Sequence, residues 1–185
     1  MKTLTDHLAQ YAAYHQDQRN IMTHFIGVPL IVTALAILLS KPGVTLYGLW
    51  LSPALIVATA ATVFYVTLDL RLGIAMGVFL TLSLWLAKQC TLLPTAQWLA
   101  WGLGGLVLGW VIQFIGHYYE GRKPAFVDDV MGLAIGPLFV TAELAFICGL
   151  RRPLKMLLNS NSNQLLGLSI NLLSNYLPCS GSYRY

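Results

Sequence analysis

The sequence predicts an all-α membrane protein: a polytopic helix bundle with four spans, a broken fifth apolar helix and an N-terminal amphipathic helix. Three observations predict it. Hydrophobic residues make up 57% of the 185 residues and charged residues 10%, against about 25% charged in a soluble domain. The apolar residues gather into runs close to the roughly 20 residues that a membrane span needs. The few charges stand at the ends of those runs. The net charge of +4 is small and its bases form no long run, so there is no nucleic-acid signature. Cys90, Cys148 and Cys179 are odd in number, far apart and without a CxxC spacing, which argues against a disulfide framework or a thiolate metal site.

Residues 3–16 read as the amphipathic helix, because Leu4, Leu8, Tyr11 and His15 recur at spacings of three and four. Residues 1–20 are polar and carry Asp6 and Asp17, unlike a signal peptide, so the first apolar segment is expected to direct its own insertion. Segment one is Ile21–Ser40 and ends at Lys41-Pro42-Gly43. Segment two is Leu46–Thr67. Segment three, Leu72–Ala87, is marginal in length unless it borrows flanking residues. Segment four, Ala96–Gly116, carries Gly102, Gly104, Gly105 and Gly109, whose small surfaces allow close helix approach. Segment five, Val130–Leu150, is interrupted by Gly136-Pro137 and is expected to be a kinked span or a re-entrant helix pair. Residues 1–156 form one membrane-embedded domain in this reading, and 157–185 a loosely ordered or interfacial tail rich in Ser and Asn.

An even number of crossings separates His24, at the start of segment one, from His117, at the end of segment four. Both therefore lie on one side of the membrane. Lys2, Arg19, Arg71, Arg122 and Lys123 share that side, against Lys41 and Lys88 on the other. If segment five re-enters, Arg151, Arg152, Lys155 and Arg184 join the histidine side and make it cytoplasmic by the positive-inside rule. The membrane would be the inner membrane of a bacterium or the endoplasmic reticulum of a eukaryote.

The polar stretch 113–125 holds the chemistry. Gln113, His117 and Glu120 share one helical face, and Asn20 and His24 share another. His15 and His24 are nine residues apart and would stand on opposite sides of one continuous helix. A break within residues 16–20, with Asp17 or Asn20 capping the next helix, lets them meet. His15, His24 and His117 can then converge as metal ligands, since imidazole suits iron, copper, zinc and nickel. Glu120 is grouped with them as a catalytic candidate. Asn20, Gln113 and Tyr118 are candidates to orient the ligands. Arg122 and Lys123 are candidates for holding a substrate carboxylate, although lipid headgroups are their simpler partners. Glu143 is costly inside an apolar segment and is a functional candidate on that ground. A single histidine near a membrane interface is more often an amphipathic residue with its tip in water, so shared sidedness is what raises this set. His7 has no partner at a useful spacing.

Two stretches carry a family resemblance. Tyr14-His15-x4-Asn20-x3-His24 followed by Gly27-Val28-Pro29, and Gln113-Phe114-Ile115-Gly116-His117 followed by Glu120-Gly121-x-Lys123-Pro124-Ala125, together resemble the signatures of the Mpo1-like family. Gly136-Pro137 and Glu143 fit its C-terminal helix, and the resemblance covers roughly residues 4–150. It implies an iron(II)-dependent membrane dioxygenase that acts on 2-hydroxy fatty acids. The reaction would cleave C1–C2 with O2, shortening the acid by one carbon in α-oxidation. The family histidines needed for iron match His15, His24 and His117. Many members carry proline in the x4 stretch, where this chain has Gln18. Two other classes compete with this reading: a membrane haem protein with two axial histidines, and a non-enzymatic scaffold or transporter. The absence of an inverted repeat argues against a transporter.

Overall fold

The structure is a computed structural model that describes residues 3–121, 124 and 129–158. Its helices are α1 (Leu4–Ala13), α2 (Gln18–Leu38), α3 (Pro53–Leu68), α4 (Leu70–Cys90), α5 (Thr95–Glu120) and α6 (Met131–Ile147). A small antiparallel hairpin, β1 (Val44–Leu46) and β2 (Leu49–Leu51), joins α2 to α3. The all-α expectation holds apart from this hairpin.

α2, α4 and α5 are long and apolar enough to cross a membrane. α3 has 16 residues and reaches only about 24 Å against a hydrocarbon core of about 30 Å. The marginal segment is thus the second, not the third. The hairpin takes the start of segment two: Tyr47 and Gly48 both adopt positive φ, 49° and 80°, the conformation of a tight two-residue turn. Segment three gains length because Asp69 accepts from the Arg71 and Leu72 amides and caps α4.

α2 and α5 pack along their whole length. A Cβ on Gly109 would stand 2.6 Å from Ile31 Cγ1, and one on Gly102 2.4 Å from Leu38 Cδ2, so neither position has room for a side chain. Gly105 faces Ala34, whereas Gly104 points away from α2 into open space. At the far end the polar groups are satisfied. Trp98 Nε1 donates to the Ile37 carbonyl (2.7 Å), as does Ser40 Oγ (2.6 Å), and Lys41 reaches Thr95 Oγ1 (3.0 Å).

The larger core lies elsewhere, where α1, α3, α4 and α6 meet around Leu8, Tyr65, Leu72, Met76, Leu138 and Phe139. Outside it, Ile56, Val63, Ile74, Val78, Trp101 and Val107 are exposed, and such apolar outer faces suit helices surrounded by lipid.

The fifth apolar segment is one continuous helix, not a broken one. α6 passes through Gly136-Pro137 without interruption. Proline interrupts one backbone hydrogen bond, but packing on neighbours sustains the helix: Tyr65 donates to the Ala134 carbonyl (2.8 Å), and Thr141 touches Met76 Sδ (3.0 Å). Beyond α6, Arg151 forms an ion pair with Asp69. Asp69 joins the returning α3 to the departing α4, on the face where α2 begins. Arg151 therefore lies on the histidine face, where α6 also begins beside α1, so both ends of α6 are on that face. Residues 152–158 are helical and bury Leu154 and Leu158 in the core, so the packed unit extends two residues into the expected tail. The rest of the tail, from 159, lies outside the described residues.

Candidate metal centre

α1 starts at Thr3, whose hydroxyl and the Asp6 carboxylate cap each other's backbone N–H groups. It stops at Ala13, and α2 starts only at Gln18 with Asp17 as N-cap. A break is present, but over residues 14–17 and not within 16–20 as expected, and it turns the His15 ring inward.

Glu120 fixes the bend from the other end of the chain. Its carboxylate accepts from the backbone N–H groups of Gln16 and Asp17, each at 2.9 Å, and from Asn20 Nδ2 at 3.1 Å. These are charge-assisted hydrogen bonds to the two residues just before α2, so they pin the bend itself. Arg19 adds a second tie by lying over the Tyr119 ring at 4.5 Å. Gly116 makes this meeting possible, since a Cβ there would stand 2.0 Å from Thr23 Oγ1 and 2.5 Å from Asn20 Oδ1.

Within this frame His15, His24 and His117 are all buried, and one ring nitrogen of each lies within 4.8 Å of the other two. His15 Nδ1 is 2.9 Å from the Tyr11 carbonyl and His24 Nδ1 is 2.8 Å from the Asn20 carbonyl. A carbonyl only accepts, so both Nδ1 atoms carry the proton and both Nε2 atoms present lone pairs. Those Nε2 atoms stand 3.1 Å apart. Two lone pairs at that distance repel unless a cation lies between them. Ligands at right angles on one metal, with bonds of about 2.1 Å, are about 3.0 Å apart. A protonated Nδ1 on a carbonyl is also the usual support for an imidazole that ligates through Nε2. A shared proton would relieve the repulsion too, but burial pushes His15 toward its neutral form. The donor set thus fits a metal ion.

Tyr11 is a site residue that sequence reasoning missed. Its ring stacks on His15 at 4.2 Å between centroids and 4° between planes, and its carbonyl sets the His15 tautomer. Its place four residues before His15 was the available signal. Phe139 of α6 packs behind both rings.

A cavity of about 280 Å³ opens beside the histidines. His24, His117 and Gln113 form its polar end. Val28, Ile31, Leu35, Leu106 and Trp110 continue it between α2 and α5, and α6 closes it at Gly136 and Pro137. From His24 to Leu35 it follows about 16 Å of helix.

Other candidates lie apart. Tyr118, which neighbours His117 in sequence, is 83% exposed and turned away from the cluster. Glu143 is half-buried on α6 near Lys155 and lines neither the cluster nor this cavity. Arg122 and Lys123 lie outside the described residues. Glu120 faces the bend and stands outside the three-histidine group.

Fold and site together define an apolar helical protein with a buried three-histidine cluster at the mouth of a hydrophobic cavity. Comparison with known proteins gives this class its family. The model of the family described as 2-hydroxy-palmitic acid dioxygenase Mpo1-like matches residues 1–147, and the chain belongs to that family. A relative from Saccharomyces cerevisiae, 2-hydroxy-palmitic acid dioxygenase MPO1, is 32% identical over 155 residues, covering 82% of this chain and 85% of the relative. No solved structure matches.

Proposed function

We propose that the protein is an iron(II)-dependent dioxygenase that cleaves C1–C2 of 2-hydroxy fatty acids and shortens them by one carbon. The three-histidine cluster at the mouth of an apolar cavity carries this reading. The family membership and the yeast relative's name support the substrate class. His15, His24 and His117 would hold the metal. Three neutral imidazoles leave coordination positions open, as non-haem iron and catalytic zinc sites do. Bound iron(II) supplies O2 activation beside the substrate.

The chain's own residues do the rest. Tyr11 and Asn20 hold two histidine tautomers through their carbonyls. Glu120 positions the bend. The cavity between α2 and α5 takes the acyl tail and keeps water from the reacting carbons. The overall reaction balances without a co-reductant: 2-hydroxy acid and O2 give the shorter acid, carbon dioxide and water, and C1 and C2 provide all four electrons.

The histidine face is cytoplasmic in this reading. The return of Arg151 to Asp69 puts Arg151, Arg152 and Lys155 with Arg19 and Arg71, opposite Lys41 and Lys88, which the positive-inside rule favours. The haem alternative has weaker support. His15 Nε2 and His24 Nε2 meet at 3.1 Å, which leaves no space for a macrocycle between the two rings.

The test is anaerobic purification in detergent, metal analysis and O2-dependent turnover of 2-hydroxypalmitate. The expected result is one iron per chain and a one-carbon-shorter acid. Protein that holds no iron after reconstitution, or that consumes O2 without shortening the acid, overturns the proposal.

A further inference from the structure

Gln113 carries a polar atom with nothing to bond. It stands one turn before His117 on α5, is 6% exposed, and lines the cavity next to His24 and His117. Its Oε1 is buried without a hydrogen-bond partner. Leaving such an acceptor unmet is destabilising, and a methionine or leucine would fill the same space without that cost. The amide is also held in place. A Cβ on Gly27 of the facing helix would stand 3.1 Å from Gln113 Cγ and 3.2 Å from Cδ, so α2 presses the side chain against the cavity wall.

We infer that Gln113 reads the 2-hydroxyl group of the substrate, which donates its proton to Oε1. This rests on the 2-hydroxy acid reading above. With the carboxylate at the histidines and the tail running past Val28 and Ile31, C2 lies just inside the cavity mouth. Gln113 stands there, about 6 Å along the helix from His117. A fatty acid without the hydroxyl leaves Oε1 unpaired, and a site built around a substrate hydroxyl rejects analogues that lack it. Gln113 is then the specificity-determining residue for the 2-hydroxy group.

The test compares wild type with Gln113→Met in the iron-loaded protein. The readouts are KM and kcat for 2-hydroxypalmitate, the inhibition constant of palmitate, metal content and thermal stability. In Gln113→Met, KM for 2-hydroxypalmitate should rise roughly tenfold, as loss of one buried hydrogen bond implies. Palmitate should bind as well as before or more tightly, with iron and stability retained. Gln113→Leu is measured in the same way if Gln113→Met does not fold. Unchanged discrimination between the two acids overturns the inference and leaves the reaction standing. Loss of iron also overturns it, and assigns Gln113 to the support of His117. Wild type that does not turn over 2-hydroxypalmitate refutes the proposed function itself.

Discussion

The two ends of the α2/α5 pair solve opposite problems with the same helices. At the far end the helices close on each other through Gly102 against Leu38, and Trp98, Ser40 and Lys41 all find partners. At the histidine end three buried atoms, Asn20 Oδ1, Gln113 Oε1 and His117 Nδ1, have none. Only Arg151 Nε joins them among the described residues. Buried polar atoms are normally satisfied, and these exceptions gather at the end of the pair where the metal and substrate are proposed to bind. The far end fixes the spacing, and the near end uses it.

The comparison can be broken in graded steps. The largest effect is expected from His24→Ala or His117→Ala. Turnover should fall to background and iron should be lost in metal analysis, while the far-end contacts remain. Glu120→Ala should come next. It removes an acceptor for two amides and the Asn20 side chain without removing a ligand. Metal affinity should drop about 10- to 100-fold, as for other supports of metal ligands, in a chelator competition. Gly102→Val tests the other end, where a Cβ would already stand 2.4 Å from Leu38 Cδ2. Overpacking of this kind costs about 1–3 kcal/mol, read as a lower melting temperature, with the iron-to-protein ratio of the folded fraction unchanged. A fall in that ratio would show that the ends are not separable.

The smallest effect concerns pH. The folded pKa of His15 is lowered to about 4, below the unfolded value of about 6.5. Between those values the unfolded chain binds the proton and the folded one does not. Metal-free protein should therefore lose stability as pH falls from about 6.5 to about 4, and show no His15-linked change above that window. Melting temperatures across the window check this, and His15→Gln should make the profile shallower.

The features that depend on helical period and crossing parity were legible in the sequence. Spacing placed Gln113, His117 and Glu120 on one face. Parity put His24 and His117 on one side. The nine-residue gap between His15 and His24 demanded a bend, and Asp17 caps the helix after it. What depends on partners distant in sequence was not legible. No local pattern tells that Glu120 would accept from Gln16 and Asp17, or that Gly116 would admit Thr23. Tyr118 directly follows His117, but one further residue of rotation, about 100°, carries it to the outer face. Pro137 suggests a break when read alone. Only the contacts of α6 with Tyr65 and Met76 show why the helix continues.

The clamp on the bend also has a consequence for biogenesis. Gln16 and Glu120 are 104 residues apart, so a growing chain has its first two site histidines in the membrane long before the residue that locks them arrives. His117 and Glu120 come together at the end of the last long helix. The three histidines are therefore brought together only when α5 inserts beside α2, and α6 closes the cavity after that. Nascent chains stalled before that point lack the third histidine of the cluster.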